Sequence, residues 1–360
     1  MKKLLIFMAV VVGLASCQNS NSSSSKKTTK TKSTNDNISL AGAGSTFAAP
    51  FYNTAFRKYT EQTGIPVSYG VIGSGAGIRS IRDRVVDFGA SDAFLSNAEM
   101  AKMPAPVVHI PTCSGAVVIA FNLPGIDSMK LTPKVLTGIF MGKITNWDNS
   151  ELQKLNPGVK FPNLAITVVH RSDGSGTTYI FSDYMSKISP EWKNQIGTGK
   201  SLKWLTGMGA KGNPGVAGII SQTVGAVGYI GSEYAFAQKI SFALLRNKAG
   251  NFIKPSIESV SAAGKGKIPA DTRVMVTNSS APNAYPISGF TWIILYKNQK
   301  YNHRSFAQAK ATLQLLNWMV GPEAQAIAKK VNYAPLPEKV VKMARKILRT
   351  VTYNGKPILK

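Results

Sequence analysis

Apolar and polar positions change places along this chain in short blocks. Strand spacing is read at 38–41, 66–71, 87–91, 107–110, 116–121, 166–170, 226–230 and 291–296. Between these runs, apolar residues recur three and four apart. That spacing predicts helices near 49–60, 78–85, 178–188, 305–319, 322–329 and 338–350. Ser96-Asn97-Ala98-Glu99 has the form of a capping box. Thr132-Pro133 reads as an N-cap with Pro at N1, opening a helix that stops at Gly142. The alternation predicts α/β architecture with mostly parallel sheets. No internal repeat is visible.

One apolar stretch is of another kind. Residues 4–14 follow Lys2 and Lys3, are almost wholly apolar, and are too short to span a bilayer comfortably. They end in Leu14-Ala15-Ser16-Cys17, which resembles the bacterial lipobox. Small residues there fit the signal peptidase, and the cysteine thiol takes up lipid. A signal peptide is therefore expected over 1–16. Residues 18–37 contain no apolar side chain, so they cannot offset their ordering entropy by burial. The expectation for 17–37 is a lipidated Cys17 followed by a flexible tether. The body then lies outside the cytoplasm, anchored to a bacterial membrane at the periplasmic or cell surface. With Cys17 consumed, Cys113 has no partner for a disulfide within the chain.

Composition changes the picture in two places. At 360 residues, the length exceeds what one hydrophobic core usually supports, so two globular lobes are expected. The 43 Lys and Arg against 17 Asp and Glu give a formal net charge of +26. Such a charge points to nucleic acid, an anionic membrane or small anions. Export removes cytoplasmic nucleic acid from that set. With 2 Cys and 3 His there is little material for a metal site, and no cofactor motif is found.

Three expected strand-to-helix loops share one chemical character. They are Gly42-Ala43-Gly44-Ser45-Thr46-Phe47, Gly73-Ser74-Gly75-Ala76-Gly77 and Arg171-Ser172-Asp173-Gly174-Ser175-Gly176-Thr177. Small residues let backbone N–H groups approach an oxyanion, and the following helix adds orphan donors and the positive end of its dipole. Thr46, Ser74, Ser175 and Thr177 add hydroxyls. In open α/β sheets such loops lie at the carboxyl ends of the strands, where ligands bind. Arg171 is the one fixed cation among them, suited to bidentate contact. Asp92 and Asp173 stand out in so basic a chain. A carboxylate beside an anion repels it unless it accepts a hydrogen bond from it. Phosphate near neutral pH carries a proton and sulfate does not, so an acceptor here selects phosphate. Asp92 has a second reading as a helix cap or as an ion pair orienting Arg171, and Asp173 one as a surface partner of Arg171.

The ordered set GAGSTFAAPFY (42–52), IGSGAGIRSI (72–81), DFGASDAFLS (87–96), GKITNWD (142–148), RSDGSGTTYIF (171–181), GNPGVAG (212–218), GAVGYI (225–230) and NYAPLP (332–337) resembles the extracytoplasmic phosphate-binding proteins of bacterial ABC-type phosphate uptake systems. The resemblance covers nearly everything from 38 to the last helix. It implies a two-lobed type II periplasmic-binding-protein fold with two crossovers between lobes. Lobe I would comprise 38–121 plus 282–360 and lobe II 122–281. It also implies reversible binding of dehydrated inorganic phosphate in the cleft and no chemistry on it. The expected partners are an ABC permease and ATPase complex, with the binding protein itself a monomer. Matched by motif, the phosphate contacts are Thr46, Phe47 through its N–H, Ser74, Asp92, Arg171, Ser175, Gly176 and Thr177, with Asp173 supporting Arg171. The second loop reads Ser-Gly-Ala-Gly where many members of that family have Ser-Ser-Gly-Gly.

Enzyme motifs fail on spacing. Gly199-Lys200-Ser201 lacks the upstream glycine of a P-loop, since position 194 is Asn194. Gly174-Ser175-Gly176 is not a nucleophile elbow, although His170 lies nearby in sequence. A reading from another class is a lipoprotein whose basic face, rich in Lys339, Lys342, Arg345, Lys346 and Arg349, binds polyanions or anionic lipid. The apolar stripe of that last helix is expected to pack on the protein instead.

Overall fold

The computed structural model describes residues 38–360. The expected signal peptide, Cys17 and tether lie outside the described residues. The main sheet is organised by two antiparallel neighbours, Val107–Phe121 and Ser288–Tyr296. All of Ser288–Tyr296 is buried, and in Val107–Phe121 only Val108 is not. Burial on both faces is why their parts 116–121 and 291–296 read as near-continuous apolar runs.

From this pair the sheet extends both ways. One half adds Phe88–Ser91, Leu40–Gly44 and Val67–Val71, and the other adds Ala226–Gly231, Thr167–Arg171 and Met208–Ala210. The flanks pair parallel, joined by strand–helix–strand crossovers. The centre pairs antiparallel, because its two strands carry the chain between the halves and run against their neighbours. The mostly parallel sheet expected from the sequence is therefore correct only for the flanks.

The single strand Val107–Phe121 serves both halves. Its residues up to Ala116 pair with Ser288–Tyr296, and from Val117 onward it pairs with Ala226–Gly231. The chain crosses once there and returns beside it, where the Val117 N–H donates to the Ile287 carbonyl at 2.8 Å. Two strands, 107–110 and 116–121, were expected around Pro111. The structure joins them, because the register shifts at this point: Thr291 faces Cys113 while Trp292 faces Pro111. A bulge tolerates a proline that has no N–H to donate. The residue left over, Thr112, shares a hydrogen bond with Tyr52 Oη at 2.7 Å and donates to the Thr291 carbonyl at 3.2 Å.

The capping box at Ser96 and the Thr132 cap form as expected. Two helices begin earlier than their apolar spacing indicates. Ser74–Arg82 and Gly176–Ile188 absorb the small-residue loops, so those loops are themselves helix N-termini. Gly212–Gln222 is a helix with no sequence-level expectation, since its Gly and Pro content hides any period. Glu338–Arg349 packs Val340, Ala344 and Leu348 onto the body, as expected of its stripe. Cys113 is buried and free. Among the described residues no helix is long and apolar enough to cross a membrane.

Candidate functional site

The carboxyl ends of strands from both halves meet at one point. Leu40–Gly44 delivers Ser45, Thr46 and Phe47; Phe88–Ser91 delivers Asp92; Thr167–Arg171 ends on Arg171 itself. Gly73, at φ 90°, turns the chain into the helix that opens on Ser74.

Asp92 is buried and held by hydroxyls alone. Ser45 Oγ and Thr291 Oγ1 donate to its Oδ1 at 2.6 and 2.7 Å, and Ser74 Oγ donates to Oδ2 at 3.2 Å. Burial pushes its carboxyl upward, the three hydroxyls and the Arg171 charge pull it back, and the net direction is up. Oδ2 therefore receives one long hydrogen bond and keeps acceptor capacity.

Arg171 is the buried cation. Its side chain is 1% exposed, and Nε and an Nη each bond Asp173, at 2.7 and 2.6 Å. The other Nη donates to Thr177 Oγ1 at 3.3 Å. Burial works to raise the Asp173 carboxyl, but Arg171 and the Gly212 N–H outweigh it and hold it below its usual range. That N–H donates to Asp173 Oδ1 at 3.0 Å. Asp173 is thus an ion-pair partner at the site and not a surface charge.

The two halves touch directly here. A Cβ at Gly176 would lie 2.5 Å from both Asp92 Oδ2 and Ser74 Oγ. The Gly75 N–H donates to the Gly174 carbonyl at 2.7 Å. Ser175 Oγ caps its helix by accepting from the Thr178 N–H at 3.0 Å. Among the described residues, the N–H groups of Thr46, Phe47, Gly176 and Thr177 have no acceptor within the protein. Four unmatched donors from two helix starts, beside a guanidinium, form an anion cradle.

All eight contact residues expected from the sequence, and Asp173, fall in this cluster. Three further participants had been passed over. Asn213 Nδ2 donates to Thr46 Oγ1 at 2.9 Å and to Thr177 Oγ1 at 3.0 Å, tying the halves together. Its Oδ1 accepts from the Gly231 N–H at 2.9 Å. The available signal was Gly212-Asn213-Pro214, a fourth small-residue loop after a strand. Ser45 lies within the first of the three expected loops, and Thr291, the other donor to Asp92 Oδ1, carried no signal of its own. The features that invited enzyme readings are occupied elsewhere. His170 stacks on Trp204 at 4.5 Å, and Lys200 pairs with Glu99 at 2.6 Å.

An anion cradle between two α/β halves joined by two crossovers defines a two-lobed type II periplasmic-binding protein. The profile of the PBP superfamily domain matches residues 22–323. The phosphate-binding protein PstS of Haemophilus influenzae is 40% identical over 308 residues, covering 84% of this chain and 90% of that one. The PstS of Xylella fastidiosa is 38% identical over 310 residues, covering 85% and 83%. A human phosphate binding apolipoprotein shares the fold at a TM-score of 0.71 and 20% identity, covering 88% of this chain and 99% of that one. A phosphate ABC transporter substrate-binding protein with bound phosphate from Clostridium perfringens does so at 0.61 and 17%, covering 83% and 100%. The chain belongs to the PstS family of the PBP superfamily.

Two predictions follow from the packing at the cleft. Gly176→Ala places a methyl against Asp92 and Ser74 and is expected to hold the halves apart, which small-angle scattering reads as a larger radius of gyration. An unchanged radius would show that the close approach is not required. Close by, buried Glu233 accepts from Ser232 Oγ at 2.9 Å, and its Oε2 has no partner. Burial pushes its carboxyl up to about 8, against smaller opposing hydrogen bonds. The native state thus holds this proton more tightly than the unfolded chain. The associated stability is complete below the unfolded pKa of about 4.5 and is lost as pH rises through about 8. The melting temperature should fall between about pH 5 and about pH 8, and Glu233→Gln should flatten that fall. Equal slopes in the two proteins would contradict it.

Proposed function

We propose that this protein is an extracytoplasmic receptor that binds inorganic phosphate between its lobes and hands it unchanged to an ABC permease and ATPase complex. The observation that supports this most is a buried carboxylate placed among unmatched donors. Asp92 Oδ2 receives only one long hydrogen bond, from Ser74 Oγ, and lies beside the Gly176 start of the opposite helix. A ligand satisfying both must be an oxyanion that still carries a proton, and phosphate is one near neutral pH.

In the binding step, the Phe47 N–H, Thr46 and Ser74 act from lobe I, and Arg171, Ser175, Gly176 and Thr177 act from lobe II. Asp92 accepts the ligand's proton in a hydrogen bond, and Asp173 holds the guanidinium in plane. Closure replaces the ligand's water shell with these fixed donors. The lobes are 38–121 with 282–360, and 122–281, moving about the paired crossings near Val117 and Ile287. Cys17 carries the lipid that keeps the receptor, a monomer, at the membrane surface.

Calorimetric titration of the protein with phosphate and with sulfate tests this. Tight phosphate binding with sulfate far weaker is expected. Comparable affinities, or no heat with phosphate, would overturn it. Arg171→Ala should weaken phosphate roughly 10- to 100-fold, from about 1.5–3 kcal/mol for hydrogen bonds to a charged group.

A further inference from the structure

Three consecutive carbonyls of the first anion loop are each held by a tyrosine hydroxyl. Tyr69 Oη donates to the Ser45 carbonyl at 2.9 Å, Tyr234 Oη to the Thr46 carbonyl at 2.5 Å, and Tyr333 Oη to the Phe47 carbonyl at 2.5 Å. Burial raises all three hydroxyls well above their ordinary range, so each keeps its proton and remains a donor.

The carbonyl and the N–H of one planar peptide unit point in opposite directions. Fixing the Ser45 and Thr46 carbonyls therefore fixes where the Thr46 and Phe47 N–H groups point. Those are the two N–H groups of this loop with no acceptor in the protein, while the next one, of Ala48, is taken by Ser45 Oγ at 3.0 Å. A hydrogen bond to the carbonyl also polarises its peptide and strengthens the N–H at the other end.

The three tyrosines come from different places. Tyr69 lies on Val67–Val71, beside the loop in the same half-sheet. Tyr333 lies next to Ala334, which bridges to Ser114 on the long central strand. Tyr234 lies on Ser232–Gln238, the helix that follows Ala226–Gly231 in the opposite half. It alone of the three reaches the loop from the other lobe.

We infer that Tyr234 is a positioning residue for the anion site: its hydroxyl crosses the cleft to the Thr46 carbonyl and sets the direction and strength of the Phe47 N–H donor. Because donor and acceptor belong to opposite lobes, this bond forms only when the lobes are together. It acts on ligand retention more than on ligand entry. The inference rests on the phosphate reading above.

The test uses the full chain as wild type and as Tyr234→Phe, which keeps the ring and removes only the hydroxyl. Inorganic phosphate is the probe, followed by stopped-flow fluorescence and by the amide spectrum with Phe47 assigned. The variant should bind phosphate about 5- to 10-fold more weakly, through faster release at an unchanged association rate. The Phe47 amide proton of the complex should move upfield, and the melting temperature without phosphate should stay close to wild type. An unchanged release rate with an unmoved Phe47 amide would overturn the inference while leaving the phosphate reading intact. A melting temperature lowered without any change at the Phe47 amide would overturn it too, since the hydroxyl would then be a packing group. A wild-type chain that ignores phosphate would overturn the phosphate reading itself, and needs no variant to show it.

Discussion

The site depends on a guanidinium that water does not reach. An isolated buried charge is costly, and Arg171 is tolerated because Asp173 meets it with two hydrogen bonds. That pair sets the positions of other groups. Asp173 also fixes the Gly212 N–H, and with it the start of the helix carrying Asn213. Arg171 reaches Thr177, which Asn213 reaches too. With Asp92 included, the cradle holds two carboxylates against one guanidinium. The local charge of the cradle therefore does not favour an anion. In the proposed receptor, recognition falls to oriented N–H and O–H groups, which discriminate by geometry, and to Asp92, which discriminates by the ligand's proton.

Orientation of that kind requires a rigid frame. Each donor loop is tied to a strand end on one side and a helix start on the other. The halves share one continuous strand, so the crossing at Ala116–Val117 is a sheet connection and not a loose linker. The bulge opposite Thr291 serves the site as well. Thr291 Oγ1 is one of the two donors on Asp92 Oδ1, so the sheet irregularity lies beside the buried carboxylate of the cluster.

Much of this was legible in the sequence because it depends on local chemistry. Gly, Ser and Thr after a strand mark an anion loop, and two acids in such loops are conspicuous in a chain with 17. The expected contacts all gathered in one place for that reason. What stayed hidden depends on distant parts of the chain. Asn213 bonds Thr46, 167 positions away, and Thr291 bonds Asp92, 199 positions away. No local period marks either residue. The expected strands 107–110 and 116–121 are one strand for a similar reason: Pro111 between them fits once the partner strand supplies the bulge. The antiparallel centre was hidden too, since sequence alternation says nothing about which strands return between the lobes.

The large positive charge takes little part in this account, since one cation serves the cradle and most others are exposed. In the proposed receptor, selection comes from the rare negative group. The most direct test is the ratio of sulfate to phosphate dissociation constants in wild type and in Asp92→Asn, where an acceptor-only group becomes one that can also donate. This ratio should fall by at least about tenfold in the variant, chiefly because sulfate binds better. A ratio that does not change would contradict it, and would mean that Asp92 does not read the ligand's proton.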